Sequence, residues 1–288
     1  MRSTDRDVFV DSKGIRIRAL VREGDGPPVV LLHGLTANAR YWDGLVNAGL
    51  DRRSTIALDL RGRGLSDQPT DSYDLAAHAQ DVLAVLDELG HERAVLCGHS
   101  YGGLLGVYMA ALHPARVAGL VVIDIAGPSI QNTQVLELIA PSLKRLGSVW
   151  PSADAFISAM RATPALAGAW DAAVEGYFRA DIRPLADGRV QVRTPGDVIA
   201  QVIHQGQAED WQAHLEAVAA PVLYLHSRGA FGPPGTVPIV LDDQAKATAQ
   251  TLRDCRYEIV PGNHMTMLFG DGAIAVSAAL DDFLDQLT

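Results

Sequence analysis

The sequence predicts an α/β chain with a mostly parallel sheet of about eight strands, helices on both faces, and one long helical insertion. Three observations predict it. Short runs rich in Val, Ile and Leu recur through the 288 residues, they alternate with segments of helical periodicity, and the alternation lapses once, between about Gly127 and Ala219. Strands buried on both faces read as continuous apolar runs, and strands that alternate with helices build parallel sheets.

The elements follow in chain order. VFVDSKGIRIRALV near the start reads as an antiparallel hairpin on the sheet edge, and PPVVLLHG (27–34) and STIALDL (54–60) as buried strands. DLAAHAQDVLAVLDELG (74–90) has apolar residues at helical spacing, with Asp74 as N-cap and Gly90 closing the far end. RAVLCG (93–98) is the next strand, YGGLLGVYMAALHP (101–114) a helix stopped by proline, and RVAGLVVIDI (116–125) another strand. PVLYLHS (221–227) and YEIVPG (257–262) complete the strands, while DDQAKATAQTL and DGAIAVSAALDDFLDQL complete the helices. Residues 127–219 are expected to be helical apart from GRVQVR, and to form a cap over the C-terminal ends of the strands. Residues 1–126 and 220–288 then make the core, with Gly127-Pro128 and Ala220-Pro221 as the cap's boundaries. Ligands of open α/β sheets bind at those strand ends, so the site is expected where cap and strands meet.

Bulk properties narrow the function. The formal net charge is −10 and no cluster of Lys and Arg could track a phosphate backbone, so nucleic acid is not an expected partner. No apolar run approaches the roughly 18 residues that span a bilayer and MRSTDRDVFVDSKG holds no apolar leader, so the expected setting is the cytoplasm, away from membranes. The two cysteines, Cys97 and Cys255, lack the spacing of a disulfide framework or a metal site, and Cys97 is expected to pack as a small apolar residue. An apolar fraction of 48% fills a sizeable core, and no signature of a particular oligomeric state is present.

Chemistry enters at Gly98-His99-Ser100-Tyr101-Gly102. This is G-x-S-x-G between a strand and a helix, the context of a nucleophile elbow, in which Ser100 stands on a strained turn at the start of a helix. The flanking glycines are required because side chains there would strike neighbouring backbone. A serine in such a turn could otherwise cap the helix or bind an anion. As a nucleophile it needs donors for a developing oxyanion; the Tyr101 N–H is one, and the Leu35 N–H in HGLTANARYW is the other. His33 and Gly34 shape that loop, and Asp59, Arg61 and Gly64 in LDLRGRGLSDQP hold structure.

With VVLLHGLT, LDLRGRGLSDQP, GHSYGG and VPGNHMTML in place, the chain resembles a capped α/β-hydrolase over nearly its whole length. The resemblance implies that His264, after the last strand, is the catalytic base. Of the other histidines, His99 is expected to point away from the serine by alternation. His113 reads as a helix end, His78 and His91 as surface or boundary residues, and His204, His214 and His226 as possible ligand contacts. Most members of the family carry the acid just after the strand matching PVLYLHS, but here RGAFGPPGTVPIVL follows, with no Asp or Glu before Asp242. Zearalenone lactonases, macrolide esterases and some polyketide thioesterases carry it instead where Asp124 stands. Asp124 is therefore the first candidate and Asp242 the alternative, with Asp243 behind them. Phe231 in the freed loop is expected to wall the acyl pocket, and Tyr41, Trp150 and Tyr177 to contact substrate.

A serine rather than an aspartate at the elbow argues against epoxide hydrolase and haloalkane dehalogenase chemistry. The expected activity is cleavage of a carboxylic ester or lactone with a medium-to-bulky apolar part, through an acyl-enzyme on Ser100, without metal or organic cofactor. Thioester hydrolysis, C–C hydrolysis and perhydrolysis use the same residues. A receptor of the same fold, turning over slowly, is the alternative of a different class.

Overall fold

The apolar runs form one eight-stranded sheet in the computed structural model, which describes residues 5–70, 72–127, 133–233 and 235–287. Strands β1 (Arg6–Ser12) and β2 (Ile15–Arg22) make the edge hairpin. Its two-residue turn, Lys13-Gly14, has positive φ at both positions (54° and 86°), the twist that suits tight hairpins. There follow β3 (Asp25–Leu32), a 3₁₀ turn over Ala39–Trp42, α1 (Asp43–Asn47), β4 (Arg53–Leu58), α2 (Leu75–Glu88), β5 (Ala94–His99), α3 (Tyr101–Leu112) and β6 (Val117–Ile123). Asp74 caps α2 by accepting from the Ala77 N–H, as its sequence position predicts.

Between β6 and the next sheet strand lies the insertion: α4 (Thr133–Lys144), β7 (Val149–Trp150), α5 (Ala153–Arg161), α6 (Ala172–Ala180), β8 (Ile182–Pro184), β9 (Val190–Val192), α7 (Gly196–Gly206) and α8 (Trp211–Ala217). Ser152, Asp171 and Asp210 cap α5, α6 and α8. GRVQVR does hold a strand, and β7, β9 and β8 pair into a small antiparallel sheet that the sequence does not announce, because strands of two or three residues carry no readable periodicity. Gly127 is described and Pro128 lies outside the described residues; Ala220-Pro221 immediately precedes β10 (Val222–Gly229), after which α9 (Asp242–Thr251), β11 (Cys255–Asn263) and α10 (Gly270–Gln286) finish the chain.

The sheet order is β1-β2-β4-β3-β5-β6-β10-β11, antiparallel at β1/β2 and β2/β4 and parallel from there on. Successive residues feed opposite cores. Val30, Leu96, Leu120 and Tyr224 pack with α2 and α3, whereas Leu31, Cys97, Val121 and Leu225 pack with α1 and α10. Each fully buried aliphatic side chain contributes roughly 1.5–3 kcal/mol, which is why the paired middles of these central strands are apolar. Cys97 is one of them, fully buried, and burial pushes its thiol up, away from reactivity. No helix among the described residues is long and apolar enough to cross a membrane.

Candidate active site

At the C-terminal end of β5 the chain turns into α3 through Ser100, whose φ of 55° and ψ of −123° lie where non-glycine residues are rarely found. The surroundings hold it there. Ser100 N–H donates to Ile123 O at 2.9 Å, and Ser100 O accepts from the N–H groups of Gly103 and Leu104. A Cβ on Gly98 would lie 2.1 Å from Gly102 O, and one on Gly102 would lie 1.9 Å from Leu32 O, so both glycines are sterically required. The N-terminus of α3 faces the same point and favours negative charge there.

The loop after β3 is fixed just as firmly. His33 Nε2 accepts from the Leu60 N–H at 3.1 Å and its Nδ1 donates to Gly34 O at 2.7 Å, the arrangement of a neutral ring. Burial pushes His33 down to about 3, so that neutrality persists well into acid. Gly34 O also accepts from Ala37 N–H, which sets the plane of the peptide that carries the Leu35 N–H. Asp59 supports the loop from below, taking Ala39 N–H at 2.7 Å and Leu65 N–H at 2.9 Å, while a Cβ on Gly64 would strike its carboxylate.

His264, 7% exposed, follows β11 and sets its Nδ1 2.8 Å from Asp124 Oδ2. The other carboxylate oxygen accepts the Ser227 N–H at 2.9 Å, and Asp124 N–H donates to Leu225 O, ties that hold the residue at a φ of 51°. With a carboxylate on Nδ1, the imidazole keeps its lone pair on Nε2, as proton abstraction from a hydroxyl demands. The backbone of His264 is anchored through its carbonyl, which accepts from His99 Nε2 at 2.7 Å, and the Tyr41 hydroxyl donates to Met265 O at 3.1 Å.

Ser100, His264, Leu35 and Tyr101 line one cavity of about 160 Å³, and so do Tyr41, Tyr177 and Phe231. Phe231 stands edge-on to the His264 ring with centroids 5.8 Å apart. Trp150 is not in the lining: its indole packs on Phe156 and donates to Ser148, because β7 turns it into the core of the insertion. Asp242 lies elsewhere, forked by Arg228 at 2.9 and 2.6 Å on the exposed start of α9; the carboxylate on His264 is Asp124.

His99 differs from its expectation. Alternation ends at the elbow, so its buried ring lies 4.5 Å from that of His264 and joins the cavity wall; burial, then the neighbouring His264, holds it well below the usual histidine range. His78 differs too. It is fully buried, because it shares the inward face of α2 with Leu75 and Val82, and helical spacing from Leu75 was the signal for that. His204 is exposed, His214 pairs with Glu209, and His226 is buried between Tyr257 and Val240; none of the three lines the cavity.

Sequence reasoning did not single out α4, which lends Val135, Leu136 and Ile139 to the wall, nor Arg145 just beyond it. Arg145 is the one lysine or arginine among the described lining residues, and its charge is engaged by Asp181 at 2.8 Å. It also donates to Thr36 O and the Tyr177 hydroxyl, tying the insertion to the Leu35 loop.

Residues 27–186 match the family described as alpha/beta hydrolase fold. A 110-residue stretch is 40% identical to 2-(acetamidomethylene)succinate hydrolase of Mesorhizobium japonicum, covering 38% of this chain and 40% of that protein. Over 134 residues it is 37% identical to cis-3-alkyl-4-alkyloxetan-2-one decarboxylase of Shewanella oneidensis, covering 45% and 42%. The chain thus spans about two fifths of the length of these curated relatives. The crystal structure of E-2-(acetamidomethylene)succinate hydrolase superposes with a TM-score of 0.83 over 98% of this chain and 100% of that one, and at 23% identity the likeness is one of fold. The matched family, over more than half of the residues, and the strand–elbow–helix architecture lead to one conclusion: the chain belongs to the α/β-hydrolase family.

Proposed function

We propose that the chain is a serine hydrolase that cleaves a compact, uncharged carboxylic ester or lactone through an acyl-enzyme on Ser100. The observation that carries this reading is the His264 Nδ1 to Asp124 Oδ2 contact of 2.8 Å behind a cavity that His264 shares with the strained Ser100. His264 Nε2 takes the hydroxyl proton as Ser100 Oγ attacks the carbonyl carbon. The carbonyl π pair moves onto oxygen, where the N–H groups of Leu35 and Tyr101 receive it. Collapse expels the alkoxide, which His264 protonates. Water, deprotonated by His264, then attacks the acyl-enzyme; the second tetrahedral intermediate breaks its bond to Ser100 Oγ, which takes the proton from His264 as the acid is released. Side chains and backbone of this chain supply every step.

Residues 127–219 act as the cap on a core of residues 1–126 and 220–288. Support for the substrate class comes from the lining, which is aliphatic and aromatic apart from the catalytic groups, Thr and Ser hydroxyls and the neutralised Arg145–Asp181 pair. A cavity of about 160 Å³ is close to the roughly 150 Å³ that encloses a benzene ring. That volume favours one short or ring-sized apolar group over the medium-to-bulky one expected from the sequence. The named hydrolase relative acts on a succinate, a dicarboxylate; this lining has no unengaged arginine or lysine among its described residues to receive one.

The test is acid release, followed by pH-stat, from neutral short and aryl esters, small lactones, macrocyclic lactones, acyl thioesters and carboxylate-bearing esters. We expect Ser100-dependent turnover on the compact neutral esters or lactones. Turnover that survives Ser100→Ala in folded protein would refute the mechanism, and tight binding of one equivalent without turnover would turn the reading to a receptor.

A further inference from the structure

Behind the oxyanion loop lies the buried guanidinium of Arg63. Arg63 is 1% exposed, and among the described residues no Asp or Glu is within ion-pair distance of it. Its neighbour Arg61 takes both oxygens of Asp81 at 2.7 Å, so that carboxylate is engaged by the other guanidinium. Arg63 makes neutral contacts instead. Nε donates to Leu35 O at 3.2 Å; Nη1 donates to Arg61 O at 2.6 Å and to His78 Nε2 at 2.9 Å; Nη2 has no partner. His78 is kept neutral by burial, and with Nδ1 donating to Asp74 O its Nε2 is free to accept. The guanidinium carbon also sits 5.6 Å from the centroid of the Tyr101 ring.

Burying an uncompensated charge costs several kcal/mol, and burial pushes this guanidinium down to about 10, so a purely structural role would be served more cheaply by an apolar side chain. What the arginine does touch is specific: the carbonyl of Leu35 and the ring of Tyr101, the two residues whose N–H groups face the oxyanion in the mechanism above. His33 and Ala37 fix the peptide before the Leu35 α-carbon, and Arg63 fixes the peptide after it. Leu35 is thus held on both sides of its α-carbon, and Tyr101 is held at its ring.

We propose that Arg63, held by His78 on α2, is the positioning residue of the oxyanion hole: it locks the Leu35 peptide and the Tyr101 side chain so that both N–H groups converge on the tetrahedral intermediate. The assignment presupposes the Ser100 chemistry and adds to it a residue outside the cavity lining. Its effect belongs to the transition state, so it is read in kcat and not in KM.

The experiment compares wild type, Arg63→Met and Arg63→Lys on the best ester. It also measures two ligands, a trifluoromethyl ketone that adds Ser100 Oγ to give a tetrahedral oxyanion, and the ether isostere of the ester, which has no carbonyl. Removing one oxyanion donor outright costs about 10²–10³-fold, so misdirecting donors by Arg63→Met is expected to lower kcat about 10–100-fold, with KM and ether affinity within about threefold of wild type. Ketone affinity falls by the same factor as kcat. Arg63→Lys keeps the charge but cannot serve three acceptors in one plane, and is expected to fall between. Unchanged kcat in folded Arg63→Met overturns the proposal, as does a parallel loss of ketone and ether affinity, which a general loosening would give. If Arg63→Met does not fold, Arg63→Lys decides: lowered kcat at constant KM supports the role and wild-type kcat overturns it. Failure of the hydrolase reading has its own signature, turnover that survives Ser100→Ala, and would overturn both.

Discussion

Acid should unfold this protein earlier than its carboxylates alone would, and His33 shows by how much. Its ring is fully buried and serves as acceptor to Leu60 and donor to Gly34, and burial moves it from 6.5 to about 3. The unfolded chain therefore binds a proton between those values that the folded chain refuses, and stability rises with pH across that window. The contribution is whole above about pH 6.5 and is lost progressively toward pH 3, where it amounts to roughly 5 kcal/mol at 1.36 kcal/mol per unit. Between pH 7 and pH 5 the loss is about 2 kcal/mol, a large share of the 5–15 kcal/mol of a typical domain. His78 and His99, also depressed by burial, add losses of the same sign. Urea denaturation of wild type and His33→Gln at pH 7 and pH 5 measures this. The variant is less stable at both, but its drop between them should be smaller than that of wild type by about 2 kcal/mol. Equal drops would show that His33 is protonated in the folded state, and would refute the account of the loop that rests on its neutral ring.

Other consequences are read more directly. Asp124→Asn must still present an oxygen to the Ser227 N–H, so its amide N–H₂ faces His264 Nδ1 and forces the proton onto Nε2; kcat should fall by about 10⁴-fold, while Asp242→Asn, which touches Arg228 and His226 outside the cavity, leaves it unchanged. Steady-state kinetics of the two variants side by side checks the assignment, and the reverse result would move the acid to Asp242. Gly102→Ala drives a methyl to 1.9 Å from Leu32 O and should cost at least about 3 kcal/mol in thermal or urea unfolding. Gly176→Ala, in α6 with open space around its Cβ, should stabilise by up to about 1 kcal/mol, and a loss there would contradict the helical geometry of α6.

How much of this was legible depends on how local the cause is. The central strands declare themselves because burial on two faces leaves no room for polar residues, and the elbow does because its glycines answer to clashes only a few residues away or with the adjacent strand. Asp124 came through resemblance and not through spacing: its contact with His264 joins residues 140 apart in the chain. Arg145 reaching Thr36 across 109 residues left no local trace at all. Trp150 misled because an aromatic residue in an insertion looks the same whether it faces a cavity or a three-stranded sheet.

The polar layer beneath the oxyanion loop, His33, Asp59, Arg61, Arg63, His78 and Asp81, is buried throughout and was only partly legible. The sequence marks His33, Asp59 and Arg61 as residues that hold structure, but it places His78 at the surface or a boundary and gives Arg63 and Asp81 no mark. Together they show where this chain accepts the cost of burying polar groups, since each donates to or accepts from backbone of the loops on either side of β3 and β4 or from another member of the layer. An apolar layer of the same volume would fill the space at lower cost, but it could not set the direction of a single N–H. Direction is what a tetrahedral oxyanion requires of its donors, so the concentration of buried polar groups behind Leu35 and Tyr101, against an otherwise apolar cavity, is itself an argument for chemistry that develops negative charge at that point.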